Sequence, residues 1–126
     1  MSKIIVSTNQ APQAIGPYSQ AVKHGNLIYC SGQIALHPET MEIVGQSGAV
    51  QTKQVMENLG EVLKAAGSDY SKILKCTIYL KDIDDFAEIN EIYGDFFPSD
   101  PPARATVEVS RLPKDVLVEI DCIAHQ

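Results

Sequence analysis

The chain has no apolar run near the roughly 20 residues needed to cross a bilayer, so no membrane-spanning helix is expected. The opening MSKIIVSTNQAP holds an apolar stretch too short for a signal peptide. A cytoplasmic location is the expectation. Basic residues are few, 10 against 16 acidic ones, for a net charge of −6. They are scattered and form no run, which argues against a partner held by its phosphates. Neither nucleic acid nor a membrane is an expected partner. The three cysteines, Cys30, Cys76 and Cys122, form no C-x-x-C pair. They lie in strand-like segments and read as buried free thiols in a reducing compartment. The three histidines lack ligand spacing, so no metal site is expected. GQSGAV lacks the lysine of a phosphate loop, and no G-x-S-x-G elbow or Ser/His/Asp order occurs. No lysine stands in an evidently apolar setting for a Schiff base. Repeats and low-complexity segments are also missing.

What is present is an ordinary globular composition. A chain of 126 residues reads as one domain, residues 1–126. It is long enough to bury roughly two thirds of its unfolded surface without disulfides. Lys3 to Ser7 reads as a first strand and Thr8 to Pro17 as a loop. Ala21–His24 and Leu27–Ser31 flank Gly25-Asn26, a two-residue hairpin signal. Leu36 to Ser47 reads as an excursion with a turn. Val55, Leu59, Val62, Leu63 and Ala66 repeat at helical spacing within Gly48–Ala66. Ser47 can cap that helix and Gly67 suits its end. Ile73–Leu80 is apolar on both faces and reads as a central strand. A second helix starts at Asp82 or Asp84, carries Phe86, Ile89, Tyr93, Phe96 and Phe97 as its stripe, and stops before Pro98. The order is β-β-β-α-β-α-β-β. The expected class is α+β, a mixed sheet with two helices on one face.

The stretch PPARATVEVSRLPKDVLVEIDCIA, Pro101–Ala124, reads as a terminal hairpin of two alternating strands. Ala103, Ala105, Val107 and Val109 share one face of the first strand, and Arg104, Thr106, Glu108 and Ser110 the other. Val116, Val118, Ile120, Cys122 and Ala124 share a face of the second. With the apolar faces together, Arg104 falls on one surface with Glu119 and Asp121. That surface, with Leu117 and Ile123, is too apolar to be open and too charged to be a closed core. Other subunits are expected to cover it.

Arg104 can either hold a carboxylate by its planar fork or simply pair with Glu119 or Asp121 across the strands. Glu119 is a candidate to orient or deprotonate a water, or the other half of that pair. Tyr18, in IGPYSQ, either walls a pocket or lies on a surface loop. Ser31-Gly32 follows the third strand, as a plain turn or with an amide facing a ligand oxygen. Asn90 interrupts the second helix and reads as a tether to a neighbouring strand or loop. Phe86 reads as core, with pocket lining the alternative. Arg111 and Lys114 read as solvated turn residues.

IGPYSQAV, YCSGQIAL, NLGEVLKAAGS and PPARATVEVSRLPKDVLVEID together resemble the reactive intermediate deaminase A family, RidA, also called YjgF. The likeness spans almost the whole chain. It implies a chorismate-mutase-like trimer with three clefts between subunits. It implies hydrolysis of 2-aminoacrylate-type enamines and imines, shed by pyridoxal-phosphate enzymes, to 2-oxo acids and ammonia, without a cofactor. By position, Arg104 resembles the family's carboxylate-binding arginine and Glu119 the acid that positions water. Tyr18 resembles the tyrosine a neighbouring subunit contributes. Ser31, Gly32 and Asn90 match other pocket positions. Many members carry Cys where this chain has Thr106, so no thiol mechanism is open there. The backbone of Ala105 and Thr106 remains available to a ligand. The leading expectation is an imine deaminase of the 2-iminobutanoate/2-iminopropanoate type. The alternatives are a ribonuclease or translation inhibitor, and a non-enzymatic 2-oxo acid-binding protein.

Overall fold

The computed structural model describes residues 2–126. Its strands are β1 (Ile4–Val6), β2 (Ala21–His24), β3 (Leu27–Gln33), β4 (Ile73–Leu80), β5 (Ala103–Glu108) and β6 (Val118–His125). The helices are α1 (Gly48–Ala65) and α2 (Phe86–Gly94). One six-stranded sheet runs β1-β2-β3-β6-β4-β5. All pairs are antiparallel except β4 with β5. The expected order of elements and the α+β class both hold.

The local signals explain the elements. Gly25 takes φ 60° in the tight turn between β2 and β3, where a side chain would meet strain. Ser47 Oγ accepts the Val50 amide at 3.2 Å and starts α1. Gly67, at φ 85°, lets the Ser68 amide turn back to the Leu63 carbonyl at 2.8 Å and ends it. Val55, Met56, Leu59, Val62 and Leu63 of α1 are fully buried. They pack on Ile28, Cys30, Ile78, Ile120, Cys122 and Ala124 from one face of the sheet. The chain enters α2 through a 3-10 turn, Ile83–Asp85, with Asp82 accepting the Asp84 amide at 2.9 Å. Ile89 and Tyr93 of α2 complete the core, with Phe86, Phe96 and Phe97 packed at its edge. No helix among the described residues is long and apolar enough to cross a membrane.

Three expectations fail. The terminal hairpin does not form: β4 lies between β5 and β6, and β5 runs parallel to β4. A strand, a covering helix and a second strand form a β-α-β unit, whose strands pair in parallel. Here β4, α2 and β5 are that unit, and β6 returns antiparallel on the far side of β4. Arg104 therefore stands opposite Cys76, not opposite a carboxylate, while Glu119 stands opposite Tyr79 and Asp121 opposite Thr77.

The faces change with the neighbours. Paired residues share a face. Cys76 and Ile78 are core, so Arg104 and Thr106 point to the helix side. Ala105 and Val107 join Thr77, Tyr79, Glu119 and Asp121 on the open face. Arg104 and Glu119 thus lie on opposite faces of one sheet. Ser31-Gly32 is no turn after a strand. It sits inside β3, where register with β6 shifts between Cys30 and Gln33 through a bulge.

Candidate active site

Around Arg104 the structure builds a charged edge from α2 and β5. Arg104 Nη1 donates to Asn90 Oδ1 at 2.6 Å. Its guanidinium carbon lies 5.4 Å from the centre of the Phe86 ring and 5.2 Å from that of Tyr93. The ion pairs among the described residues are Lys53–Glu57 and Arg111–Asp115, so Arg104 has no carboxylate partner there. The cross-strand ion pair considered from the sequence does not exist. Two residues along β5, Thr106 Oγ1 is buried without a hydrogen-bond partner among the described residues. An unmet buried hydroxyl costs about 1–3 kcal/mol. Cys76, opposite Arg104, is buried and burial pushes its thiol up to about 11. It remains protonated at neutral pH and cannot stand in for a nucleophile at position 106. Burial, then the Cys76 thiol, likewise holds the Tyr93 phenol far above its ordinary range, so it stays neutral.

On the other face a second group gathers at the β3 bulge. Glu119 lies directly over Gly32: a Cβ there would stand 2.9 Å from Glu119 Cδ. Burial raises the Glu119 carboxyl above its ordinary value, and Asp121 adds to the rise. Asp121 is itself engaged, accepting the Tyr79 hydroxyl at 3.1 Å. Beside Gly32 opens a cavity of about 280 Å³ whose wall includes Ile15, Tyr18, Gly32, Gln33 and Lys114. Tyr18 is half exposed, its oxygen accepting the Ile15 amide at 3.4 Å.

The loop bearing Tyr18 is fixed by a residue the sequence reading missed. Gln20 is buried, and its side chain accepts the Thr8 amide at 2.7 Å and donates to the Pro12 carbonyl at 2.7 Å. Its carbonyl accepts the Ser31 amide at 3.0 Å, while Ser31 Oγ donates to the Ser19 carbonyl at 2.6 Å. Ser31 is thus tied to the loop by both groups. A glutamine next to a strand carries no pattern that would announce this.

The chain therefore brings Asn90, Arg104 and Thr106 together on the helix side, with Ala105 between them on the strand. It brings Tyr18, Ser31, Gly32 and Glu119 together at the bulge. It does not bring the two groups together. Gly32→Ala is expected to leave the fold intact and push the Glu119 carboxylate aside. A displacement of that size costs on the order of 10²-fold in turnover at an oriented site. Kinetics and a thermal melt on the same sample check this.

A small mixed sheet covered by two helices, with polar groups at an edge strand and at a bulge, defines the class of architecture. Solved structures share it over nearly their full length. The Escherichia coli protein TdcF, crystallised with bound serine, superposes with TM-score 0.93 at 42% identity, covering 98% of each chain. The chain belongs to the family described as Endoribonuclease L-PSP, whose model matches residues 8–126, the family of reactive intermediate deaminase A. Reactive Intermediate Deaminase A, chloroplastic, of Arabidopsis thaliana is 51% identical over 98% of this chain and 66% of its own length. The human 2-iminobutanoate/2-iminopropanoate deaminase is 48% identical over 97% of this chain and 89% of its own.

Proposed function

We propose that the protein hydrolyses enamines and imines of the 2-aminoacrylate type, released by pyridoxal-phosphate enzymes, to 2-oxo acids and ammonia. The observation that carries this reading is Arg104: a guanidinium held by Asn90 and two rings, with no carboxylate of its own. A fork so placed fits an acid ligand bidentately. The names of the relatives support the same chemistry.

Because Arg104 and Glu119 face opposite ways, one small substrate meets both only where two copies adjoin. The proposed assembly is a homotrimer with a cleft at each junction. Arg104, Ala105, Thr106 and Asn90 come from one subunit, and Tyr18, Ser31, Gly32 and Glu119 from its neighbour. The open face supports such burial, since Tyr29 and Val107 lie half exposed on it. In the cleft the 2-imino acid carboxylate docks on Arg104 and the amides of Ala105 and Thr106. Tyr18 closes the pocket. Glu119 takes a proton from a water as the water oxygen bonds to the imine carbon. The C=N π electrons move to nitrogen, which takes that proton back from Glu119, and a carbinolamine forms. Glu119 then carries the carbinolamine hydroxyl proton to nitrogen, the oxygen closes the C=O bond as the C–N bond breaks, and ammonia leaves the 2-oxo acid. Water is the only co-reactant. Free imino acids already react with water, so orientation and electrostatics supply a modest reduction in barrier. The proposed place of action is the cytoplasm, where three buried thiols stay reduced.

Coupling the protein to a serine or threonine dehydratase and following 2-oxo acid release tests the reading. Equal rates with wild type and Arg104→Ala would sink it. The family's description as Endoribonuclease L-PSP favours a second reading, RNA cleavage, against which the net charge of −6 counts. RNase activity that survives repurification and disappears in Arg104→Ala would select it. Carboxylate binding without turnover would select a non-enzymatic sensor.

A further inference from the structure

We infer that Phe86 and Tyr93 are positioning residues that preset the Arg104 guanidinium for an acid ligand. This rests on the proposed role of Arg104. In the sequence both aromatics read as parts of the apolar stripe of α2. In the structure Phe86, Asn90 and Tyr93 stand at i, i+4 and i+7, one line along that helix. All three meet the same guanidinium, two by ring and one by hydrogen bond.

The arrangement has a definite consequence. A planar cation attracted to the faces of two rings has few rotamers left. Asn90 takes one N–H of Nη1 and sets the rotation of the plane. The remaining N–H groups stay available to a carboxylate. A free arginine on an edge strand would lose its rotamer freedom when ligand binds, and that loss would weaken binding. Here the freedom is lost on folding instead. The Tyr93 hydroxyl lies by the Cys76 thiol, makes no hydrogen bond to Arg104 and contributes nothing to this hold. The ring alone does, which separates positioning from general structural support.

Phe86→Leu and Tyr93→Leu are expected to raise KM for the imino acid about fivefold to tenfold each, with kcat within twofold. Tyr93→Phe is expected to restore the KM lost in Tyr93→Leu. Nitrogen-edited NMR of the arginine side chains gives a readout free of catalysis. The Arg104 N–H signals, assigned by their loss in Arg104→Lys, are expected upfield in wild type because they lie over ring faces. They are expected to move downfield in both Leu variants and stay in Tyr93→Phe. Tyr93 also packs on Phe97, with centroids 4.9 Å apart, and its Leu variant could fail to fold. Phe86 is only partly buried, so Phe86→Leu then decides alone. An unmoved KM and unmoved Arg104 signals in a Leu variant with wild-type melting temperature would overturn the inference. If wild type binds 2-oxobutanoate without turnover, its Kd replaces KM in every comparison. If wild type neither binds nor turns over an acid, the proposed function falls, and the NMR shifts still decide whether the rings hold Arg104.

Discussion

Arg104→Ala is expected to raise KM for 2-iminobutanoate about a hundredfold. Two charge-assisted hydrogen bonds to one carboxylate contribute at least about 3 kcal/mol together, which is roughly that factor. The melting temperature is expected to move little, because Arg104 is exposed and makes no ion pair among the described residues. That combination separates ligand binding from structural support. Arg104→Lys keeps the charge but loses the planar fork and the ring contacts, so it is expected to fall between the two. Steady-state kinetics with imino acid generated in place, beside a thermal melt, measures both quantities.

Glu119→Gln is expected to lower kcat by 10²-fold or more, the usual range for losing a positioned general base being about 10²–10⁴. KM is expected to stay near wild type, because the proposed docking group for the acid ligand is Arg104. The pH dependence has a definite sign. A base works when ionised, and burial followed by Asp121 raises the Glu119 carboxyl. The acid limb of kcat/KM is therefore expected above the ordinary glutamate range of about 4.3, and Glu119→Gln is expected to abolish it. Stability has the opposite trend. A carboxyl whose folded pKa is raised favours the fold fully below its unfolded pKa. That contribution is lost as pH rises through the folded value. Glu119→Gln is therefore expected to flatten the fall in stability across that window.

Much of the fold was legible because it is written locally. Ser47, the repeat Val55-Leu59-Val62-Leu63 and Gly67 bracket α1, and the structure puts each where helix physics requires. Ile73–Leu80 was apolar on both faces and is flanked by strands on both sides. At the C-terminus, the strands that follow one another in sequence, β5 and β6, are not neighbours in the sheet. Alternation says which side chains of one strand share a face, and is silent on which strand lies alongside. The pattern β4-α2-β5 carries the signal for a parallel pair, and β6 takes the far side of β4, which leaves β5 at the sheet edge with no hairpin partner.

Ala103, Ala105 and Val107 form the apolar face of β5, yet in a single chain they are exposed. Their apolar character fits a surface that further copies cover. The polar face, with Arg104 and Thr106, turns to α2. No alternation rule distinguishes a core of the subunit from a core of the assembly. Phe86 and Tyr93 were legible as a stripe, while their shared contact with Arg104 depends on the placement of β5. Gln20 holds the Tyr18 loop through backbone groups, which leave no trace in side-chain pattern.

The opposed faces of Arg104 and Glu119 lead to a direct experiment. Arg104→Ala and Glu119→Gln proteins, each nearly inactive alone, are unfolded together in equal amounts and refolded. A cleft built from Arg104 of one subunit and Glu119 of the next is intact wherever a Glu119→Gln chain supplies the arginine and an Arg104→Ala chain supplies the acid. About a quarter of junctions in a random mixture meet that condition, so roughly a quarter of wild-type turnover is expected to return. A mixture that forms mixed oligomers and stays as inactive as its parents would place both residues in one subunit's site and contradict the shared cleft.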